Sequence, residues 1–473
     1  MFARGSLGVV QIAGRGIQCT ALIRSDDLRI SVLTAGSQRS TLPRMGYIQD
    51  AGANTPLNPR WRELNAFIHL SPDFQPALDR AGVGALAVKD NIEVAGMPCT
   101  AGTPGLRNYI PRLDAPVIAR LRAAGFAIAG KTNMHELAYG ITSNNAAYGP
   151  VRNAFDPTCF AGGSSGGTAV AIAAGVVRAG LGTDTGGSSR IPAALNGIVG
   201  FRPSVGRYSS DGVIRISPTR DVIGPMGRCV RDVALLDAVM SGDAMDLARI
   251  DVEGLRLGLP GQYFQESLHA DTAGVLEKVV TLLRQAGVEF VTADLPDIAS
   301  RNAAVSFPVV LYETRSALQS FLDTAGLELT LAELHARIAS PDVKELVGLA
   351  MSGHVSQPDY QHAIRIERPR LQQVYREYFE THQVAAILFP TTPLPACPIV
   401  SSDQNVMLNG TGVPTFPTFI RNTDPASNAG IAAISIPAGL SRTGLPIGIE
   451  LDGPAGSDRL LLAIAAAIET VIQ

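Results

Sequence analysis

The stretch that organises this chain runs Gly162-Gly163-Ser164-Ser165-Gly166-Gly167, then Thr168 to Ala174, then Gly182-Thr183-Asp184-Thr185-Gly186-Gly187-Ser188-Ser189-Arg190. Two Gly/Ser turns each feed a helix, so two sets of free backbone N–H groups converge on one region and favour negative charge there. A phosphate cradle of the P-loop kind needs Gly-x-x-x-x-Gly-Lys-[Ser/Thr], and no lysine follows either turn. A pair of flexible loops is the plainer alternative. Outward from this block, Ala85 to Val88 reads as a buried strand. Asp114 is placed to cap a helix through Val117, Ile118 and Leu121 that Gly125 ends, and Phe126 to Ala129 follows as a strand. Leu255 to Leu259 and Val288 to Thr292 read as strands around a helix from Asp271 to Ala286, whose Val275, Leu276, Val279, Leu282 and Leu283 face inward. Such alternation predicts an α/β fold with a central mixed, mostly parallel sheet covered by helices on both faces.

No linker divides the chain after Trp61, so residues 61–473 are expected to form one domain. Within it, 300–420 is more helical and reads as an insertion near the pocket. Residues 1–60 are irregular, with a short β-like run from Leu28 to Leu33. The 473-residue chain is 46% hydrophobic and 17% charged with a formal net charge of −3. That balance suits a large buried core and gives no electrostatic pull towards nucleic acid or anionic lipid. Five scattered cysteines without a Cys-x-x-Cys pair argue against a zinc ribbon or a disulfide framework and for reduced thiols in the cytoplasm. The first residues carry no signal-peptide-like apolar stretch, and the longest apolar run, Leu460 to Ile468, is too short for a bilayer and reads as a buried helix.

Cleaving an amide requires an activated oxygen nucleophile and donors aimed at the developing oxyanion. A serine in a turn that begins a helix supplies both. Thr185-Gly186-Gly187-Ser188 fits, with Ser188 as nucleophile and the N–H groups of Thr185, Gly186, Gly187 and Ser188 as the oxyanion hole. Losing one such donor costs about 3–4 kcal/mol of transition-state stabilisation. Of the seven histidines, His135 next to Glu136 is the most suggestive rival base. A Ser–His–Asp enzyme of the hydrolase kind needs a strand–turn–helix nucleophile elbow to partner that histidine; the string Gly162 to Gly166 follows no strand-like run, and no His-Glu-x-x-His is present. His135 is expected to be structural, on a helix.

Val88-Lys89-Asp90, the Gly/Ser block at 162–167 and Asp184 to Arg190 together resemble the amidase signature family of serine hydrolases, with its Ser–cis-Ser–Lys triad. Ser164 precedes Ser188 by 24 positions and Lys89 precedes it by 99, spacings similar to the family's. Weaker likenesses at Phe389 to Pro393, Ile434 to Gly439 and Gly444 to Gly448 extend the resemblance over residues 61–473. It implies that Ser188 forms the acyl-enzyme, that Gly163–Ser164 is a cis bond, and that Ser164 relays the proton to Lys89. Lys89 must then be uncharged, which burial favours. The resemblance implies no metal and no cofactor. The stretch Asn133 to Pro150 looks like the branch of indoleacetamide and mandelamide hydrolases, which favour small aryl-substituted amides. Urethanases of the same family extend the expectation to carbamates, which present the same carbonyl. Ala138 and Tyr139 are expected at the substrate; Arg207, in a Gly/Ser-rich loop, is a candidate for the pocket and its gate, though an ordinary solvated loop arginine is the plainer reading. The alternative is the amidase-like subunit of a tRNA-dependent amidotransferase. Expected partners are a small amide or carbamate, without nucleic acid or membrane; a homodimer is left open.

Overall fold

Strand Ala85–Lys89 is buried along its whole length, as an all-apolar strand capped by one lysine must be when sheet lies on both sides and helices on both faces. Its residues alternate between two cores. Ala85 and Ala87 pack with the helix Gly166–Ala173, while Leu86 and Val88 pack with the helix Pro116–Ala123. By the same period of two, Lys89 shares the face of Ala85 and Ala87, towards the Gly166–Ala173 helix.

The computed structural model describes residues 8–14, 17–23, 58–72, 74, 84–400 and 402–473. The chain divides into residues 1–49 and 50–473. In the first unit, Gly8–Gly14 and Ile17–Ile23 pair as an antiparallel hairpin, with Gly14 opposite Ile17. The expected β-like run Leu28 to Leu33 lies outside the described residues.

In the second unit an 11-stranded sheet runs, edge to edge, Glu289–Val291, Arg256–Gly258, Ala386–Pro390, Pro446–Asp452, Ala433–Leu440, Val199–Arg202, Val222–Gly227, Ala179–Asp184, Ala85–Lys89, Ala127–Thr132 and Phe67–Leu70. The mixed α/β sheet is as expected, but "mostly parallel" needs correction. Parallel pairing is confined to two blocks, the three strands at the Glu289 edge and the three centred on Ala85–Lys89. Every other neighbouring pair is antiparallel. Connection length accounts for one of these pairs: a parallel return needs a crossover, whereas Ala433–Leu440 turns straight back into Pro446–Asp452 through five residues.

Helices Val230–Ser241, Ala270–Gln285 and Asp458–Ile472 cover one face through Ile434, Ile436, Ile447 and Ile449. The Arg368–His382 helix packs with Ile387, Phe389 and Ala433. The Ala270–Gln285 helix buries Val275, Leu276, Val279 and Leu283 as read, with Leu282 at its margin. Asp114 is not the cap expected of it. Pro116 sets the first helical position, which moves the cap to Ala115. Asp114 instead accepts the Ala95 N–H at 2.8 Å and pairs with Arg122 at 3.1 Å. Among the described residues no helix is long and apolar enough to cross a membrane.

Candidate active site

Two parallel neighbours, Ala85–Lys89 and Ala179–Asp184, end on the same edge of the sheet, and the chain after the second becomes the Thr185–Ser188 loop. Open α/β sheets place their chemistry at such strand ends. Lys89, fully buried, donates from Nζ to Ser164 Oγ at 2.7 Å, to Thr183 Oγ1 at 2.8 Å and to the Thr183 carbonyl at 3.4 Å. Burial lowers its amine from the ordinary 10.5 to about 7, against the opposing attraction of Asp184 and Asp221. Lys131, on the adjacent strand, is equally buried but has the Asp90 carboxylate at 3.2 Å; Cys99 and Asp90 overcome the cost of burial and raise its pKa. Hydroxyls and a carbonyl in place of a carboxylate separate the two lysines.

Ser164 stands just ahead of the Gly166–Ala173 helix, after a Gly163–Ser164 peptide that is cis, as the resemblance implied. Its backbone is held on both sides. The Ser164 carbonyl accepts the His135 N–H at 3.1 Å, and Ser143 Oγ donates to the Gly162 carbonyl at 2.9 Å while accepting the Gly166 N–H at 3.2 Å. A side chain at position 163 would meet Ser143 Oγ at 2.9 Å, which explains the glycine. Ser188 is stitched to the same segment because its carbonyl accepts the Ser165 N–H at 3.1 Å. Its Oγ has no hydrogen-bond partner among the described residues, whereas Lys89 and Ser164 are bonded to each other.

The amides of the Thr185–Ser188 loop are oriented through their carbonyls. Arg202 Nη1 donates to the Asp184 carbonyl at 2.7 Å, Arg220 Nη2 to that of Thr185 at 3.0 Å, and the Ile191 N–H to that of Gly187 at 2.7 Å. A planar trans peptide sends its N–H opposite its C=O, so the N–H groups of Thr185, Gly186 and Ser188 are turned away from those anchors. None of the three has an acceptor among the described residues. Gly187 differs from expectation: its N–H donates to Asp184 Oδ1 at 2.9 Å, while Thr423 Oγ1 donates to the Gly186 carbonyl at 2.6 Å. That peptide is fixed at both ends and offers no donor. Gly187 is at φ +135°, and a Cβ there would lie 2.1 Å from Thr423 Oγ1.

Beneath the loop lies a buried ionic network. Asp184 receives Arg190 and Arg202 at 3.0 Å each, and Arg190 also binds Glu450. Burial alone would raise the Asp184 carboxyl, but the two guanidinium groups hold it well below the usual range. Asp221 accepts Thr185 Oγ1 at 2.6 Å and two backbone N–H groups at 2.9 Å, and burial pushes its pKa up. Among the described residues no group of three or more His, Cys, Asp or Glu side chains could hold a metal ion.

His135 is not on a helix proper. It precedes a three-residue turn, Glu136–Ala138, in which Leu137 and Ala138 are left-handed at φ +52° and +60°. Its Nδ1 accepts the Ser143 N–H at 3.2 Å, so Nε2 carries the proton and donates to Asp342 Oδ2 at 3.0 Å. Both ring nitrogens are thus engaged, and the His–Asp pair buttresses Ser143 rather than serving a serine nucleophile. Tyr139 is buried, with Thr314 Oγ1 at 3.1 Å from its hydroxyl. Arg207 is not brought to the cluster. Its Nε and Nη2 grip Asp237 at 2.6 and 2.7 Å and Nη2 also reaches Asp243 at 2.6 Å, so the candidate gate guanidinium is spent on carboxylates. Thr183, Arg220 and Thr423 escaped the sequence reading. Thr183 lay within the quoted block, but only strand adjacency reveals its contact with Lys89; Arg220 and Thr423 carry no local signal.

This geometry has counterparts. A family model described as Amidase matches residues 81–462. The indoleacetamide hydrolase of Agrobacterium vitis is 46% identical over 398 residues, covering 83% of this chain and 85% of the relative. The mandelamide hydrolase of Pseudomonas putida is 42% identical over 444 residues, covering 87% and 85%. The solved peptide amidase of Stenotrophomonas maltophilia superposes with a TM-score of 0.73 at 29% identity, covering 86% of this chain and 89% of that one. With the fold, the Gly/Ser loops and this likeness along most of its length, the chain belongs to the amidase signature family.

Proposed function

We propose that this protein hydrolyses the C–N bond of small aryl-substituted primary amides through an acyl-enzyme on Ser188. The observation that carries the reading is the buried Lys89 amine, near pKa 7, hydrogen-bonded to Ser164 Oγ at 2.7 Å, with the next residue, Ser165, tied by its N–H to the Ser188 carbonyl at 3.1 Å. Ser188 Oγ attacks the carbonyl carbon while its proton passes to Ser164 and that of Ser164 to Lys89. The tetrahedral oxyanion is met by the N–H groups of Thr185, Gly186 and Ser188. As the C–N bond breaks, Lys89 returns its proton through Ser164 to the departing nitrogen, which leaves as ammonia. Water then repeats the sequence on the ester, releasing the acid and restoring Ser188. Catalytic hydrogen bonds of unliganded sites are commonly loose and tighten with substrate, which fits an unbonded Ser188 Oγ.

The aryl preference is supported by likeness to indoleacetamide and mandelamide hydrolases. The same likeness favours a self-sufficient hydrolase over an amidotransferase subunit. Carbamates are a second substrate class: their carbonyl can expel an amine or an alkoxide, with a heteroatom in place of carbon on the acyl group left on Ser188. The test is ammonia or amine release from a panel of primary aryl amides, anilides, esters and carbamates, with and without EDTA. Chelator-insensitive release that disappears in Ser188→Ala is the expected result. Activity that survives in Ser188→Ala would remove the acyl-enzyme from the scheme.

A further inference from the structure

We infer that Phe307, Phe416 and Ile420 form the wall on which the aryl group of the substrate rests, and that this wall sets selectivity for aryl over short alkyl amides. The inference rests on the amide-hydrolase reading above and adds to it the residues that choose the acyl group. Arg220 joins the Thr185 carbonyl, at 3.0 Å from Nη2, to the Ser306 carbonyl, at 2.9 Å from Nη1. Phe307 is therefore the next residue along a helix, Ile298–Thr324, that is anchored to the loop carrying the oxyanion donors. From the other side, Ile420 reaches the same loop: a Cβ on Gly186 would meet its Cδ1 at 2.8 Å. Phe416 lies one turn before Ile420 on the helix Thr415–Ile420, and its ring stands 5.9 Å from that of Phe307, tilted by 51°. Thr185, Gly186, Ile420, Phe416, Phe307 and Ser306 thus close a ring around Arg220.

The wall is built but uncovered. Phe307 is 43% exposed although it touches another aromatic ring, whereas the pair Phe264–Phe389 stacks at 4.2 Å and is fully buried. A half-open aromatic pair beside charge-stabilising amides is a surface for a flat apolar group, because such a ring gains both dispersion and edge-to-face contacts there. The same helix leads on to the predicted pocket residue. Thr314 is seven positions after Phe307, hence on the same helical face, and its Oγ1 lies 3.1 Å from the Tyr139 hydroxyl. The helix that carries Phe307 thus also reaches Tyr139, through Thr314.

The experiment compares phenylacetamide with propanamide in the wild type, Phe307→Ala, Phe307→Leu, Phe416→Ala and, as a control on an exposed apolar residue elsewhere, Leu113→Ala. The ratio of kcat/KM for phenylacetamide to that for propanamide is expected to fall about tenfold in each alanine variant of the wall, less in Phe307→Leu, and not in Leu113→Ala. A ratio within about twofold of wild type in Phe307→Leu and both alanine variants, with thermal unfolding unchanged, overturns the inference. Phenylacetate binding by calorimetry separates it from the hydrolytic reading. A wild type that splits neither amide refutes hydrolysis, yet roughly tenfold weaker phenylacetate binding in Phe307→Ala would still support the wall, and equal binding would refute it.

Discussion

Lys89 makes the catalytic proposal quantitative. An exposed lysine, at 10.5, is unprotonated to only about 3 parts in 10,000 at pH 7, whereas one at about 7 is half unprotonated. Burial thus raises the supply of base at neutral pH by about a thousandfold, at a cost of about 5 kcal/mol to the ammonium form. The free-enzyme kcat/KM should rise about tenfold per pH unit below 7 and level off by about pH 8. Stability carries the same signature. Between about pH 7 and 10.5 the unfolded chain holds the lysine proton that the folded chain has released, so stability gains about 1.4 kcal/mol per pH unit from this residue. The gain vanishes below the folded pKa, where both states are protonated, and is complete above the unfolded one. The assays are initial rates from pH 5 to 9 at constant ionic strength, and urea unfolding of wild type and Lys89→Met at pH 7, 8 and 9. Wild type should gain about 2 kcal/mol over the variant from pH 7 to 9. A rate profile flat from pH 5 to 9, or one inflecting only near 10, would refute the desolvated-base argument, as would parallel stability curves for the two proteins.

Other outcomes follow from the same contacts. Lys89→Arg keeps the charge but cannot release its proton, so amide turnover should drop by at least about a thousandfold in initial-rate assays. Arg220→Met releases the Thr185 carbonyl and with it the orientation of the Gly186 N–H; kcat should fall about a hundredfold with little change in KM, measured by steady-state kinetics. Gly187→Ala forces a Cβ to within 2.1 Å of Thr423 Oγ1 at φ +135°, and activity should be lost with a lowered unfolding temperature; a fully active variant would remove the packing argument. Phe389→Ala opens a cavity against Phe264 in the buried core and should cost about 3–5 kcal/mol in urea unfolding.

Elements whose determinants are local were legible in the chain. The Ala85 strand, the Ala270–Gln285 helix with its inward Val275, Leu276 and Val279, and the C-terminal helix all follow from periodicity. Asp114 was misread because the helix start depends on Pro116, and a proline at the first helical turn outranks a good capping side chain one residue too early. Strand direction is not legible locally, because most antiparallel neighbours, such as Ala179–Asp184 with Val222–Gly227, are far apart along the chain. Neither reading of Arg207, pocket gate or solvated loop residue, names its partners, because Asp237 and Asp243 lie 30 and 36 positions away and announce nothing locally.

By itself the sequence determined the two Gly/Ser turns, because backbone that must approach a carbonyl closely, and turn through positive φ at Gly187, admits little besides glycine. It also determined that a lysine would end an apolar strand, but two do so in effect: Lys89 and Lys131 both follow apolar runs and both are fully buried. Only the tertiary structure decided between them. Asp90 is the chain neighbour of Lys89, yet successive strand residues face opposite sides, so its carboxylate meets Lys131 from the adjacent strand. Lys89, turned the other way, meets hydroxyls in a dry site, and it is that change of partner, invisible along the chain, that lets its amine shed a proton near neutral pH.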